Sequence, residues 1–161
     1  YLPIPNILCH NSRMRNLTTT ICLTIAVLFG SVALNFSLAF AGNEISLYDS
    51  EGNAVAYIAT DDDLTIYLWG GKPVAYLDGE NVYGFNGKHL GWFLKGVIID
   101  HRGDAACVVK KRHPSYTKYE GYKGYKNYKP YKSYKEYAPY KPYASNRFSA
   151  VECSLFLALG K

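Results

Sequence analysis

Hydrophobic and polar positions between residues 45 and 109 recur in four copies. The copies align on Gly52, Gly71, Gly87 and Gly103, spaced 19, 16 and 16 residues apart. Five residues before each glycine stands an aliphatic side chain: Leu47, Ile66, Val82 and Ile98. Four before it stand Tyr48, Tyr67, Tyr83 and Ile99. Three after it come Val55, Val74, Leu90 and Ala106, followed by the small residues Ala56, Ala75, Gly91 and Cys107, then Tyr57, Tyr76, Trp92 and Val108. So short a period accommodates two strands and a turn. No single copy can bury its own apolar face, so the four must pack on one another.

Each glycine belongs to a turn, as in Trp69-Gly70-Gly71-Lys72 and Phe85-Asn86-Gly87-Lys88. Gly-Gly and Asn-Gly favour tight hairpins because glycine accepts positive φ. The flanks alternate with the strand period, which would set Val74 and Tyr76 on one face and Ala75 and Leu77 on the other. The pattern predicts an all-β fold of four short β-hairpins, eight strands and no helix, about a pseudo-four-fold axis. The small-residue column marks strands that approach closely around this axis, and the aliphatic column forms the shared core. Closure into a ring would remove exposed strand edges. Propeller blades, with four strands and about 40 residues each, do not fit this period.

Two runs make the pattern specific: Tyr67-Leu68-Trp69-Gly70-Gly71-Lys72-Pro73-Val74-Ala75-Tyr76-Leu77 and Tyr83-Gly84-Phe85-Asn86-Gly87-Lys88-His89-Leu90-Gly91-Trp92-Phe93. With Gly96 and Asp100-His101-Arg102-Gly103, they resemble the bacterial 4-fold β-flower domain over residues 45–109. The resemblance implies a pseudo-four-fold set of hairpins and brings no activity, cofactor or catalytic residue. The last copy departs from the pattern with Ala106, Cys107 and Val108, so its petal is expected to pack less fully.

Composition divides the chain. Residues 1–13 precede its only methionine, Met14, and read as upstream, non-native sequence. Residues 14–41 combine Arg15, an apolar run and Ala39-Phe40-Ala41, the pattern of a signal peptide cleaved after Ala41, favoured over a retained anchor. Residues 42–111 form the hairpin domain, 112–147 a Tyr/Lys tail, and 148–161 a short apolar segment expected to dock. Export follows from the leader reading, to the periplasm, cell surface or medium. Cys107 reads as a buried free thiol in an alanine-sized slot, ahead of a disulfide with Cys153.

Charge separates the same segments. Residues 42–109 hold 4 basic and 10 acidic side chains, whereas residues 110–147 hold 11 basic and 2 acidic. Such asymmetry marks an interaction tail, which is also able to fold back on its own acidic domain or dock on a neighbour's. Tyrosine recurs every third residue, at Tyr116, Tyr119, Tyr122, Tyr125, Tyr128, Tyr131, Tyr134, Tyr137, Tyr140 and Tyr143. Lysine follows six of them, at Lys123, Lys126, Lys129, Lys132, Lys135 and Lys141. Almost without aliphatic residues, the tail is expected to be disordered in isolation. Its period is that of polyproline II, reaching about 85 Å at about 3.1 Å per residue. Lysines attract anionic polymers and tyrosine faces stack on sugars or bases.

The tail therefore supplies the candidate binding residues. The expected function is noncatalytic binding or structural association at the cell envelope, with anionic or sugar polymers or with other copies as partners. Nucleic acid is a weaker candidate. A second candidate site is a turn-side rim of Trp69, Phe85 and His101, suited to a small ligand or to hydrolysis. His89 and His101 near Asp100 or Asp104 offer acid–base or metal chemistry. Asp61-Asp62-Asp63 lacks calcium-loop spacing and reads as a solvated turn. No nucleophile elbow, phosphate loop or zinc spacing appears, so the expectation is no enzyme, no metal and no cofactor.

Overall fold

The computed structural model describes residues 44–161. The readings of residues 1–13 and 14–41 lie outside the described residues. Eight antiparallel strands follow in chain order: β1 Glu44–Tyr48, β2 Ala54–Ala59, β3 Thr65–Leu68, β4 Pro73–Asp78, β5 Asn81–Gly84, β6 His89–Leu94, β7 Val97–Ile99 and β8 Ala105–Val109. Each pairs with the next, and β1 pairs with β8, so the sheet closes as a barrel without an open edge. The four expected hairpins are β1–β2, β3–β4, β5–β6 and β7–β8.

The repeat glycines sit at the hairpin turns with φ between +79° and +86°. Side-chain carboxylates tighten two of these turns: Asp49 accepts from the amides of Glu51 and Asn53, and Asp100 from those of Arg102 and Asp104. This is the Asx arrangement that lets a short polar side chain replace a backbone partner.

All four hairpins carry a register shift at the same aligned position. Tyr67 faces Pro73 while Ile66 faces Ala75, so Val74 is the extra residue of a β-bulge. Val55, Leu90 and Ala106 occupy that place in the other hairpins. The bulge corrects the strict alternation expected for β4. Val74 packs in the interior cluster with Ala75 and Leu77, while Tyr76 packs in a separate cluster with Tyr83 and Phe85. A bulge adds one residue and sharpens the local twist, which closes eight short strands into a ring.

The aliphatic column Leu47, Ile66, Val82 and Ile98 is wholly buried in the interior, with Ala56, Ala75 and Cys107 beside it. At Gly91, an added Cβ would lie 2.0 Å from the Ile99 carbonyl oxygen. Small side chains thus occupy the column where strands crowd. One end of the interior is filled by the C-terminal helix α1, Cys153–Ala158, whose Phe156 and Leu157 join the core. The apolar terminus docks as expected.

Cys107 is not a free thiol. It forms a disulfide with Cys153, 46 residues away. Its alanine-sized slot faces the interior, where α1 brings the second sulfur.

Candidate functional site

Between β8 and α1 the chain makes one circuit of the barrel. A single 3-10 turn, Lys110–Arg112, ends the sheet. At the start of the circuit His113 meets Phe148 from its end, with ring centroids 5.9 Å apart. The tail was expected to be free and disordered, and it instead lies as an extended strap on the outer surface. Of the placements that the charge split allowed, folding back on its own domain is the one observed.

The strap is held in a nine-residue register. The amides of Lys118, Asn127, Glu136 and Ser145 donate to the carbonyls of Gly52, Gly71, Gly87 and Gly103 at 2.8–2.9 Å. Between these points, Gly124 donates to Trp69 O and Ser133 to Phe85 O. Backbones run so close that a Cβ on Gly71 would lie 1.9 Å from Tyr125 O, and one on Gly87 2.0 Å from Tyr134 O. Nine residues are three turns of a three-residue helix, so the same edge returns to each petal.

Every ion pair among the described residues joins the strap to the barrel. Lys123 and Lys126 both reach Glu44, at 2.7 and 2.9 Å. Lys129 spans Asp62 and Asp63, Lys135 pairs with Asp78, and Lys141 with Glu80. Strap lysines also make six cation–π contacts with barrel rings: Lys123 lies 4.7 Å from the Tyr57 ring centroid and 4.9 Å from Trp69, Lys126 covers Tyr57 and Tyr67, Lys132 lies 4.4 Å from Tyr76, and Lys135 stands over Tyr83. Beneath the lysines, Tyr57 stacks on Tyr67 and Tyr76 on Tyr83, each pair from neighbouring hairpins.

These contacts shift the titrating groups. Burial raises the pKa of Glu44, but hydrogen bonds and charge from Lys123 and Lys126 outweigh it and hold the carboxyl below its ordinary value. Hydrogen bonds from Lys129 and Tyr67 lower Asp62. Burial and the adjacent Glu120 carboxylate push Tyr48 up to about 12. Asp62, with Asp61 and Asp63, therefore serves as a strap anchor rather than a free solvated turn.

The predicted binding set divides into two faces. Tyr116, Tyr119, Tyr122, Tyr125, Tyr128, Tyr131, Tyr134, Tyr137, Tyr140 and Tyr143 all point outward, each at least 88% exposed. The six lysines turn inward to carboxylates and rings. The sequence had placed both residue types on one binding strip. It missed Glu44, Asp62, Asp78 and Glu80 as their partners, although the opposite charges of the two segments and the multiple-of-three spacing between contacts carry the signal.

The proposed rim is not one platform. Trp69 packs edge-on against Tyr57 and donates to Gly121 O, Phe85 is buried against Tyr76, and His101 stacks on His89. Each belongs to a different petal. Nor do the histidines pair with Asp100 or Asp104. His89 Nδ1 lies 2.9 Å from His101 Nε2, and His89 Nε2 lies 3.2 Å from Asn81 Oδ1. Asp100 is bonded to Ser149, and Asp104 to Ser145 and Arg147. Burial, reinforced by His101, lowers His89 to about 4.

Neither a curated protein nor a solved structure matches this chain. The sequence profile of the 4-fold beta flower protein family matches residues 45–157. The match runs past the eight strands, through the strap and into α1, and covers more than two thirds of the chain. Four bulged hairpins closed about an axis agree with that description, and the chain belongs to the 4-fold beta flower family.

Proposed function

We propose that this is an exported, noncatalytic binding protein of the cell envelope, which holds extended sugar polymers on the tyrosine row of its strap. The observation that carries this reading is the outward face: ten rings, each at least 88% exposed, on a backbone fixed by the barrel. Rings three residues apart on a polyproline II edge are about 9 Å apart. That spacing is on the scale of a disaccharide repeat in an extended glycan. Single contacts are weak, and a row of them on a preorganised support gives avidity. The disulfide supports export, because such bonds persist in oxidising compartments.

The lysines, engaged with the barrel, favour ring stacking over a polyanion grip. A nucleic-acid binder would lose affinity steeply as salt rises. The test is cosedimentation with purified cell wall and with insoluble polysaccharide, at low and high salt. Replacing Tyr122, Tyr128, Tyr134 and Tyr140 by serine is expected to abolish pelleting while leaving the thermal midpoint unchanged. Equal pelleting of that variant would refute the reading.

A further inference from the structure

The fourth petal differs from the others on its outer face. At the inter-hairpin pairs, Tyr57 faces Tyr67 and Tyr76 faces Tyr83, whereas Trp92 faces Ile99 and Val108 faces Tyr48. The strap changes in the same place. Lys126 and Lys135, nine residues apart, cover rings in successive steps of the register, and the next residue in that series is Ala144. Losing both rings and lysine opens a cleft of about 840 Å³ between the two ends of the strap, lined by Pro114 from one end and Ala144 from the other. That volume falls within the range of small-molecule sites, about 300–1,000 Å³.

The cleft has an apolar floor and a basic rim. Leu94, Val97 and Phe148, all partly exposed, form the floor, with Ile99 and Val108 almost wholly buried beneath it. Lys95, Lys111, Arg112 and Arg147 stand around it. Arg147 pairs with Asp104, and Lys141 at the margin pairs with Glu80. Lys95, Lys111 and Arg112 make no ion pair among the described residues and are exposed. Elsewhere around the barrel, strap cations meet carboxylates. Here Glu80, the one carboxylate in the lining, is engaged by Lys141, and three cations border the cleft without an acidic partner.

We propose that this cleft binds a single-chain aliphatic amphiphile with an anionic head, its chain on the Leu94–Val97–Phe148 floor and its head between Lys111 and Arg112. The apolar floor favours a chain over a polar ligand, and the guanidinium and ammonium favour an anion over a neutral or cationic head. The site is separate from the tyrosine row, so its failure would leave the glycan reading standing.

Isothermal titration of the full chain with laurate, below its micelle concentration, tests this. Saturable one-to-one binding is expected, with dodecyl phosphate in a parallel arm to identify the preferred head. Lys111→Ala combined with Arg112→Ala, at exposed positions where folding is not at stake, is expected to weaken binding about tenfold or more. Val108→Tyr restores the ring of the first two petals and is expected to block the cleft. Absence of saturable binding, equal binding of dodecyltrimethylammonium, or unchanged affinity in the Lys111/Arg112 variant would overturn the proposal. So would a dimer in sedimentation that Val108→Tyr dissociates, since a second copy would then be the occupant.

Discussion

Breaking the Cys107–Cys153 bond is expected to destabilise the protein by about 4 kcal/mol. The bond closes a segment with a sequence separation of 46, which contains the whole strap. In the chain-entropy account, a cross-link limits the unfolded ensemble by an amount that grows with the logarithm of loop length, and a loop of this size gives about 4 kcal/mol at 25 °C. Native packing is little changed if Cys107 becomes alanine, because Ala56 and Ala75 occupy the same column in the first two hairpins. The variant is therefore Cys107→Ala with Cys153→Ala, compared with the oxidised protein by urea unfolding. A fall of about 4 kcal/mol corresponds to roughly 15–30 °C in midpoint for a domain of this size. The urea slope should rise as well, because the unfolded chain becomes more expanded. A loss below about 1 kcal/mol, with an unchanged slope, would refute the argument that this loop's closure stabilises the circuit.

Other perturbations separate the strap from the barrel. Gly71→Ala and Gly79→Ala both place a side chain at positive φ, a cost of about 1–2 kcal/mol, yet a Cβ meets Tyr125 O at Gly71 and nothing at Gly79. Only Gly71→Ala is expected to speed trypsin cleavage at Lys123 and Lys126, and equal rates would contradict the close approach. Stability is expected to fall between pH 6.5 and about 4, because the unfolded chain protonates His89 below its ordinary 6.5 while the folded chain resists to about 4. Glu44 and Asp62, whose folded pKa values are depressed, add stability above their ordinary 4.5 and 3.8 that is lost as pH falls through the folded values. Lys126 and Lys129, raised in the fold, keep their contribution until pH rises past 10.5, so urea midpoints should form a plateau at neutral and mildly alkaline pH. Thr65→Val removes a buried hydroxyl that has no hydrogen-bond partner and is expected to raise the unfolding free energy by about 1 kcal/mol; a loss in denaturant melts would contradict this.

The barrel was legible in the sequence because its determinants are local and repeated. Glycine at positive φ, an aliphatic five residues earlier and a small residue four later recur at each hairpin. The bulge was not read there: strict alternation was expected for Val74 to Leu77, and the extra residue shows only in the pairing of Ile66 with Ala75 and Tyr67 with Pro73. The strap was harder to read because its partners are remote. Glu44 and Lys123 are 79 residues apart. Judged by its own aliphatic content, the tail has no core. It is ordered by backbone carbonyls, carboxylates and tyrosine faces that belong to the barrel. The disulfide was hidden for the same reason, since only a full circuit brings Cys153 to Cys107. At the candidate site, residue types were legible and their directions were not.

Direction is what separates folding from binding here. In an extended three-residue helix, residues on different edges do not exchange faces without rotating the whole segment. The glycine carbonyls fix that rotation at four points, so the lysines stay against the barrel and the tyrosines stay outside. The inward edge has folding reasons for its composition: ion pairs, rings and close backbone contact. The outward edge has none of these, since rings so exposed contribute little burial and large exposed apolar area works against solubility. Serine or glutamine would serve the fold equally well at all ten positions. A tyrosine at every third residue therefore calls for a selective reason beyond the fold, and the repeating partner proposed for the strap would supply one that matches the period.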